Sequence, residues 1–240
     1  MIMVKIHFLG TSHGIAEKGR FRTSMLLETE EHFYLFDLGA PIGTIMKNHD
    51  MDFMKVKAAF VTHMHSDHAI DIPEYMELCC WCDGERYLYL PEGKENAEKW
   101  NYALHGEELY ESGGCRIETV KKGMFYDDGS ITVEAIPTKH LKRGISYAYE
   151  VCAGEKRILF TGDLTDSFSD FPDTGRQYDA VICELTHFDV ENALDTLNGV
   201  NSQIIIFNHV RDDKIKMLND CADKVMFNYH ITNDGDIMLI

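Results

Sequence analysis

Four times along this chain an apolar, β-forming run ends on a residue that can hold a metal ion. The runs are AAFVTHMHSDH from Ala58 to His68, EAIPTKH ending at His140, RILFTGD ending at Asp163, and IIIFNHV around His209. Short apolar stretches bounded by Gly or polar residues read as strands. Loops at the ends of rigid strands are where binding and catalytic groups are most often placed.

The first run is the richest. Ala58 to Thr62 reads as a buried strand and Ile72-Pro73 opens a helical pattern, so His63, His65, Asp67 and His68 fall in the strand-to-helix loop. Alternate residues of a strand share a face, so His63 and His65 point the same way from its frayed end. The turn then brings Asp67 and His68 beside them. One solvated histidine needs no metal, but three imidazoles and a carboxylate on one segment are hard to explain without it. Such donors suit zinc first, and manganese or iron accept the same set. His140, Asp163 and His209, each read alone, would be a cap or a histidine bonded to a carbonyl. Their shared place after a strand makes them ligand candidates as well.

Composition narrows the setting. The apolar fraction of 45% and charged fraction of 26% are globular values, and no apolar run reaches the length of a membrane span. A single domain over residues 1–240 is expected. The apolar stretch in MIMVKIHFLGTSHG is too short for a signal h-region, which implies the cytoplasm. Seven cysteines without framework spacing fit a reducing compartment. Cys79, Cys80 and Cys82 contain a Cys-x-x-Cys, but a second pair is missing and they sit in an apolar helix, so they read as buried thiols. The net charge of −17, with no basic run to offset it, excludes broad binding of long nucleic acids and leaves a small anionic molecule as the expected partner. A homodimer is compatible with this surface.

Strands are expected at Lys5 to Leu9, Ser24 to Thr29, Phe33 to Asp37, Val56 to Thr62, Tyr87 to Leu90, Ile117 to Val120, Ile131 to Ile136, Ser146 to Val151, Arg157 to Thr161, Ala180 to Glu184, Gln203 to Asn208 and Asp236 to Ile240. Helical patterns cover Pro73 to Cys82, Gly93 to Tyr110, Asp189 to Asn198 and Asp212 to Cys221, with Asp189 at an N-cap and Gly199 just past the helix end. Many strands with interspersed helices imply two sheets packed face to face with helices outside.

With these residues in view, the chain resembles the metallo-β-lactamase superfamily over essentially its whole length. The shared features are the FLGTSHG loop, FDLG at Phe36 to Gly39, the His-x-His-x-Asp-His loop, His140, TGD at Thr161 to Asp163, and His209. The resemblance implies an α/β fold of the α+β type, a four-layered αββα sandwich with two mixed sheets, and a two-metal hydrolase. His63, His65 and His140 resemble the ligands of the first metal, and Asp67, His68 and His209 those of the second, with Asp163 bridging. Asp37 resembles the family's early buried Asp, which supports the histidine loop. Two cations roughly 3.5 to 4 Å apart need anions between them, a role for Asp163, Asp67 and a bridging hydroxide that attacks the substrate.

Within the superfamily, the diiron flavin-linked reductases carry Glu at the place of His65, and β-lactam hydrolases commonly carry Cys at the place of Asp163. Glyoxalase II-type thioesterases share the ligands but carry a helical C-terminal domain. ICELTHFDVENAL resembles the Glu-x-Thr region of ribonuclease Z and related phosphodiesterases, with Glu184 and Thr186 matching. Ribonuclease Z also has a tRNA-clamping arm, whereas only 22 residues separate His140 from Asp163 here. The expected activity is therefore a small-substrate, including cyclic, phosphodiesterase. A thioester or lactone hydrolase, a ribonuclease Z-like enzyme and a non-catalytic metal sensor are the alternatives. Asp67, Glu184 and His187 form the catalytic set, with His187 as general acid oriented by Glu184. Arg211, Lys142 and Arg143 are the candidate phosphate contacts. Asp71 stands where many members have Gly. His7, His13, His32, His49, His105 and His230 read as structural, with the Gly-flanked His13 able to approach the metals.

Overall fold

A computed structural model describes residues 3–111, 114–172 and 174–240, apart from the side chains of 105–111. The first half runs β1 (Lys5–Gly10), β2 (Ser24–Glu28), β3 (Phe33–Phe36), α1 (Ile42–Asn48), β4 (Val56–Phe60), α2 (Ser66–Ala69), α3 (Ile72–Trp81), β5 (Arg86–Leu90), α4 (Lys94–Glu111) and β6 (Cys115–Thr119). The second half runs β7 (Gly123–Asp127), β8 (Ile131–Pro137), β9 (Tyr147–Ala153), β10 (Lys156–Phe160), β11 (Ala180–Leu185), α5 (Val190–Gly199), β12 (Ile205–Val210), α6 (Asp212–Asp220), β13 (Tyr229–Ile231) and β14 (Ile237–Leu239).

Two seven-stranded sheets result, in the orders β14-β1-β2-β3-β4-β5-β6 and β13-β12-β11-β10-β9-β8-β7. Each is mixed: β3 to β6 and β10 to β13 pair in parallel, and the remaining pairs are antiparallel. The two-residue period of a strand divides its side chains between layers. Tyr34, Phe36, Ala58 and Phe60 point between the sheets, where they meet Tyr149, Ile158, Phe160 and Ile182. Their neighbours Leu35, Ala59 and Val61 pack beneath α1 and α3, and Leu159, Val181 and Cys183 beneath α5 and α6. Phe36 and Phe160 stack across the middle at 4.1 Å, nearly parallel. Every residue of β11 and β12 is buried, as strands covered on both faces require. The αββα sandwich expected from the sequence is the observed fold.

This topology gathers the chemistry at one end. Because β9 is antiparallel to both β8 and β10, the strands β8, β10, β11 and β12 all run the same way. Their carboxyl ends carry His140, Asp163, His187 and His209, and these face the carboxyl ends of β3 and β4 from the other sheet.

Several expectations need correction. Asp67 and His68 lie in the short helix α2, with only His63 and His65 in a loop. Helix α1, which follows Pro41 and buries Ile42, Ile45 and Met46, has no counterpart in the sequence reading, and neither do β7 and β13. These elements are too short for a periodic signal, and tertiary contacts define them. Asp189 caps α5 as expected, accepting from the Asn192 amide at 3.2 Å, but Gly199 is the last residue inside that helix. Of the three clustered thiols only Cys79 is buried, with Cys80 and Cys82 half-buried, and none of the seven cysteines forms a disulfide. Among the described residues, no helix is long and apolar enough to cross a membrane.

Candidate metal centre

The first sheet supplies a prearranged platform. Asp37 follows β3 with φ +60°, a left-handed conformation that Asp tolerates better than most residues. Its Oδ1 accepts from the Thr62 amide at 2.7 Å, and both its oxygens face the Thr62 hydroxyl at 3.0 Å. The hydroxyl proton is thereby committed to Asp37, so the Thr62 oxygen accepts from His63 Nδ1–H at 3.1 Å. Asp37 Oδ2 also accepts from His68 Nδ1–H at 2.8 Å. Both imidazoles therefore turn Nε2 toward the centre, the orientation that carboxylate–histidine support gives a metal ligand. Helix α2 is held by Leu38, whose amide donates to His68 O at 2.7 Å and whose carbonyl accepts from Asp71 N at 2.9 Å. A Cβ at Gly39 would lie 1.8 Å from the Asp67 carbonyl, so only glycine lets the FDLG turn pass beneath this helix.

The second sheet brings the remaining ligands. His140 donates Nδ1–H to Leu164 O at 3.1 Å, which again leaves Nε2 for the centre. Gly162, at φ +58°, brings Asp163 in close, and a Cβ there would meet Thr62 Cβ and Tyr147 O at 3.0 Å. His209 lies within β12 and does not follow it. Glu184 pairs with Asn208 and Leu185 with Val210, so His209 is the extra residue of a β-bulge, at φ +52°. A bulge re-aims a side chain, and this one turns His209 inward.

Asp163 sits between two sets of donors. Its Oδ2 lies 3.6 Å from Nε2 of both His63 and His140, while His65 Nδ1 lies 3.0 Å from His63 Nε2 and 3.3 Å from His140 Nε2. Its Oδ1 lies 3.3 Å from His68 Nε2 and 3.5 Å from His209 Nδ1, and Asp67 Oδ2 lies 3.1 Å from His209 Nε2. The sets His63, His65, His140, Asp163 and Asp67, His68, Asp163, His209 each converge to within 4.8 Å. Both oxygens of Asp163, His68 Nε2 and His209 Nδ1 are buried with no hydrogen-bond partner among the described residues. Buried polar atoms left unpaired are costly. Seven nitrogen and oxygen donors around these orphaned atoms fit divalent metal ions.

Electrostatics supports the same reading. Burial and the charges of neighbouring imidazoles hold His63 well below the usual histidine range, so its lone pair is available. Burial would raise Asp163, but the charges of His209, His68 and His63 outweigh it and keep the carboxylate ionised. Asp67 is likewise held low against its burial, by the hydrogen bond from His209 and the charge of His68.

Beside the ligands, Glu184 accepts from the amides of Leu164 at 2.7 Å, Thr186 at 3.1 Å and His187 at 2.9 Å, and from His187 Nδ1 at 2.8 Å. It therefore holds both the Asp163 loop and the His187 ring. Burial opposes charging of His187, but Glu184 outweighs it and raises the group to about 9. The Arg211 guanidinium is forked onto Asp213, at 2.5 and 2.6 Å, in an exposed pair. Lys142 and Arg143 are exposed on the loop that carries His140. Among the described residues, no hydrogen bond or ion pair joins any of these three cations to the ligands. His13 lies edge-on to His209 at 6.5 Å between ring centroids and 3.3 Å from Glu17. His7 pairs with Glu28 and His230 with Asp236, while the side chain of His105 lies outside the described residues. Thr62 and the Leu164 carbonyl were not singled out in the sequence, since each acts through a contact made only in the fold.

Comparison with known proteins places this architecture. A profile of the family described as Anti-Pycsar protein Apyc1 matches residues 4–230. Ribonuclease Z of Methanocaldococcus jannaschii is 31% identical over 158 residues, covering 62% of this chain and 47% of that protein. Ribonuclease Z of Sulfurisphaera tokodaii is 28% identical over 148 residues, covering 62% and 48%. The chain thus spans about half the length of these relatives. The metallo-β-lactamase fold protein YhfI from Bacillus subtilis superposes over 100% of both chains with a TM-score of 0.81 at 14% identity. The short form of human tRNase Z superposes over 98% of both with a TM-score of 0.75 at 17% identity. At these identities the two structures establish the fold alone. The profile match over residues 4–230 shows that this chain belongs to the family of the Anti-Pycsar protein Apyc1, and its αββα core has the metallo-β-lactamase fold.

Proposed function

We propose that the chain is a dinuclear metal-dependent hydrolase of small phosphodiesters, cyclic ones included. The observation that carries this reading is a pair of ligand sets sharing one carboxylate, Asp163, with a carboxylate-oriented imidazole, His187, beside it. Two divalent ions, zinc in the first instance, would supply Lewis acidity and a water acidic enough to attack at neutral pH. His63, His65 and His140 would hold one ion and Asp67, His68 and His209 the other, with Asp163 offered to both. Glu184 takes up Nδ1 of His187, which leaves Nε2 of a half-buried ring to give a proton to the departing oxygen. Asp67 would add negative charge against the second ion and complete the catalytic set. Lys142 and Arg143, exposed on the loop that carries His140, would meet an anionic substrate, whereas the fork of Arg211 pairs with Asp213.

The likeness to ribonuclease Z favours RNA as a second substrate class. Two features weigh against it. A net charge of −17 repels a polyanion that must make many phosphate contacts, and the stretch between His140 and Asp163 is used by a short loop, β9 and β10. Parallel assays of the zinc- or manganese-loaded protein on bis-p-nitrophenyl phosphate, a cyclic phosphodiester, a glutathione thioester, a β-lactam and a precursor tRNA test the proposal. Turnover of the diesters with the tRNA uncut is expected. Faster hydrolysis of the thioester, or specific tRNA cleavage, would overturn it.

A further inference from the structure

The two ligand sets are not held equally. All four residues of the second set are buried, whereas the first contains an exposed His65 and a half-buried His140. His140 stands on a loop closed at its base by Thr138 and Ser146, which share a backbone bond at 3.0 Å and a hydroxyl pair at 2.8 Å. What fixes this loop against the Asp163 loop is a residue outside the ligand sets. Asp170 is 9% exposed. Its Oδ2 accepts from the Lys139 amide at 2.7 Å, one residue before His140. Its Oδ1 accepts from the amide and the hydroxyl of Thr165, at 2.9 and 2.7 Å, two residues after Asp163.

The carboxylate is itself firmly placed. It ends a turn in which the Phe168 amide donates to Thr165 O at 2.9 Å. Phe168, at φ +57°, drives its 4%-exposed ring against Phe188 at 4.4 Å and Phe171 at 5.1 Å. A left-handed phenylalanine is strained, and such strain persists only where surrounding packing imposes it. Three charge-assisted hydrogen bonds, two closing the turn onto Thr165 and one reaching the separate segment at Lys139, make a clamp. Together with the bond from His140 Nδ1–H to Leu164 O, it sets the 3.6 Å spacing of His140 Nε2 from Asp163 Oδ2.

We infer that Asp170 is a positioning residue for the first ligand set, fixing His140 against Asp163 while leaving the second set untouched. The inference rests on the two-metal reading of the site and on nothing about the substrate. Asp170→Asn keeps one acceptor but turns an amide N–H₂ toward another N–H donor, and Thr165→Val removes one donor while leaving Asp170 in place. The test is stepwise cobalt(II) titration of the chelator-stripped full chain, read by ligand-field absorption and by competition with a chromophoric chelator. D170N should weaken the first site roughly ten-fold, the size of effect seen for groups that orient metal ligands. T165V should weaken it about three-fold, and both should leave the second site at wild-type affinity. Turnover by D170N should recover at higher metal concentration. Should D170N not fold, the T165V titration decides alone. Variants titrating like the wild type, or both sites weakening together, would overturn the inference and leave the proposed function standing. A wild-type chain that takes up a single ion would overturn the two-metal reading itself.

Discussion

His187→Gln separates proton donation from everything else the site does. Glu184 keeps its three backbone donors, Leu164, Thr186 and His187 N–H, when the imidazole is removed, so the loop that carries the substitution stays held. His187 belongs to neither of the two sets that share Asp163, and its side chain is 32% exposed, so neither packing nor metal content should change much. The loss should then be that of a general acid, roughly 100-fold or more in kcat where the leaving group is a poor one. A 100-fold loss corresponds to about 2.7 kcal/mol of transition-state stabilisation. With bis-p-nitrophenyl phosphate, whose phenolate leaves without help, the loss should be about three-fold at most. Steady-state kinetics on that ester and on an alkyl or cyclic diester, with metal content measured on the same samples, gives the comparison. Equal losses on both substrates would refute proton donation and reduce His187 to a positioning role.

Asp37→Ala should lower metal affinity roughly 10- to 100-fold by freeing His68 and Thr62, and a chelator competition showing wild-type affinity would contradict the support role. Phe160→Ala should cost about 3 to 5 kcal/mol in urea unfolding, because the ring stacks on Phe36 in a fully enclosed layer; a loss below about 1 kcal/mol would mean the sheets close over the gap. Asp71 is raised to about 8 from 3.8, by burial first and by Glu74 beside it, against the bond from Ile42 N. Folded protein therefore keeps a proton there that the unfolded chain has lost, and this contribution is complete below about pH 4 and disappears as the pH rises toward about 8. Asp71→Asn, which can still accept from Ile42 N, should flatten the fall in melting temperature between pH 5 and 8, and an unchanged slope would rule out Asp71 as its source.

The chain's local patterns determined most of its elements and all seven metal-ligand candidates, because both depend on near neighbours. Short apolar runs closed by Gly or polar residues marked the strands, and metal-capable residues at their ends needed only spacing to be noticed. Even the pairing of Glu184 with His187 was legible, the two being three positions apart across a tight turn. What the fold alone decided joins positions far apart in sequence. His209 reaches the centre because β12 gains a residue against β11, a mismatch of register that neither strand shows alone. Asp170 matters through Lys139, thirty-one residues away, and Thr62 through Asp37, twenty-five away. Arg211 is diverted by Asp213, since two exposed side chains near a helix start pair by geometry that a run of charges does not specify. Donor types are written in the sequence, but the distances that make them a metal centre arise only when two sheets bring their strand ends together.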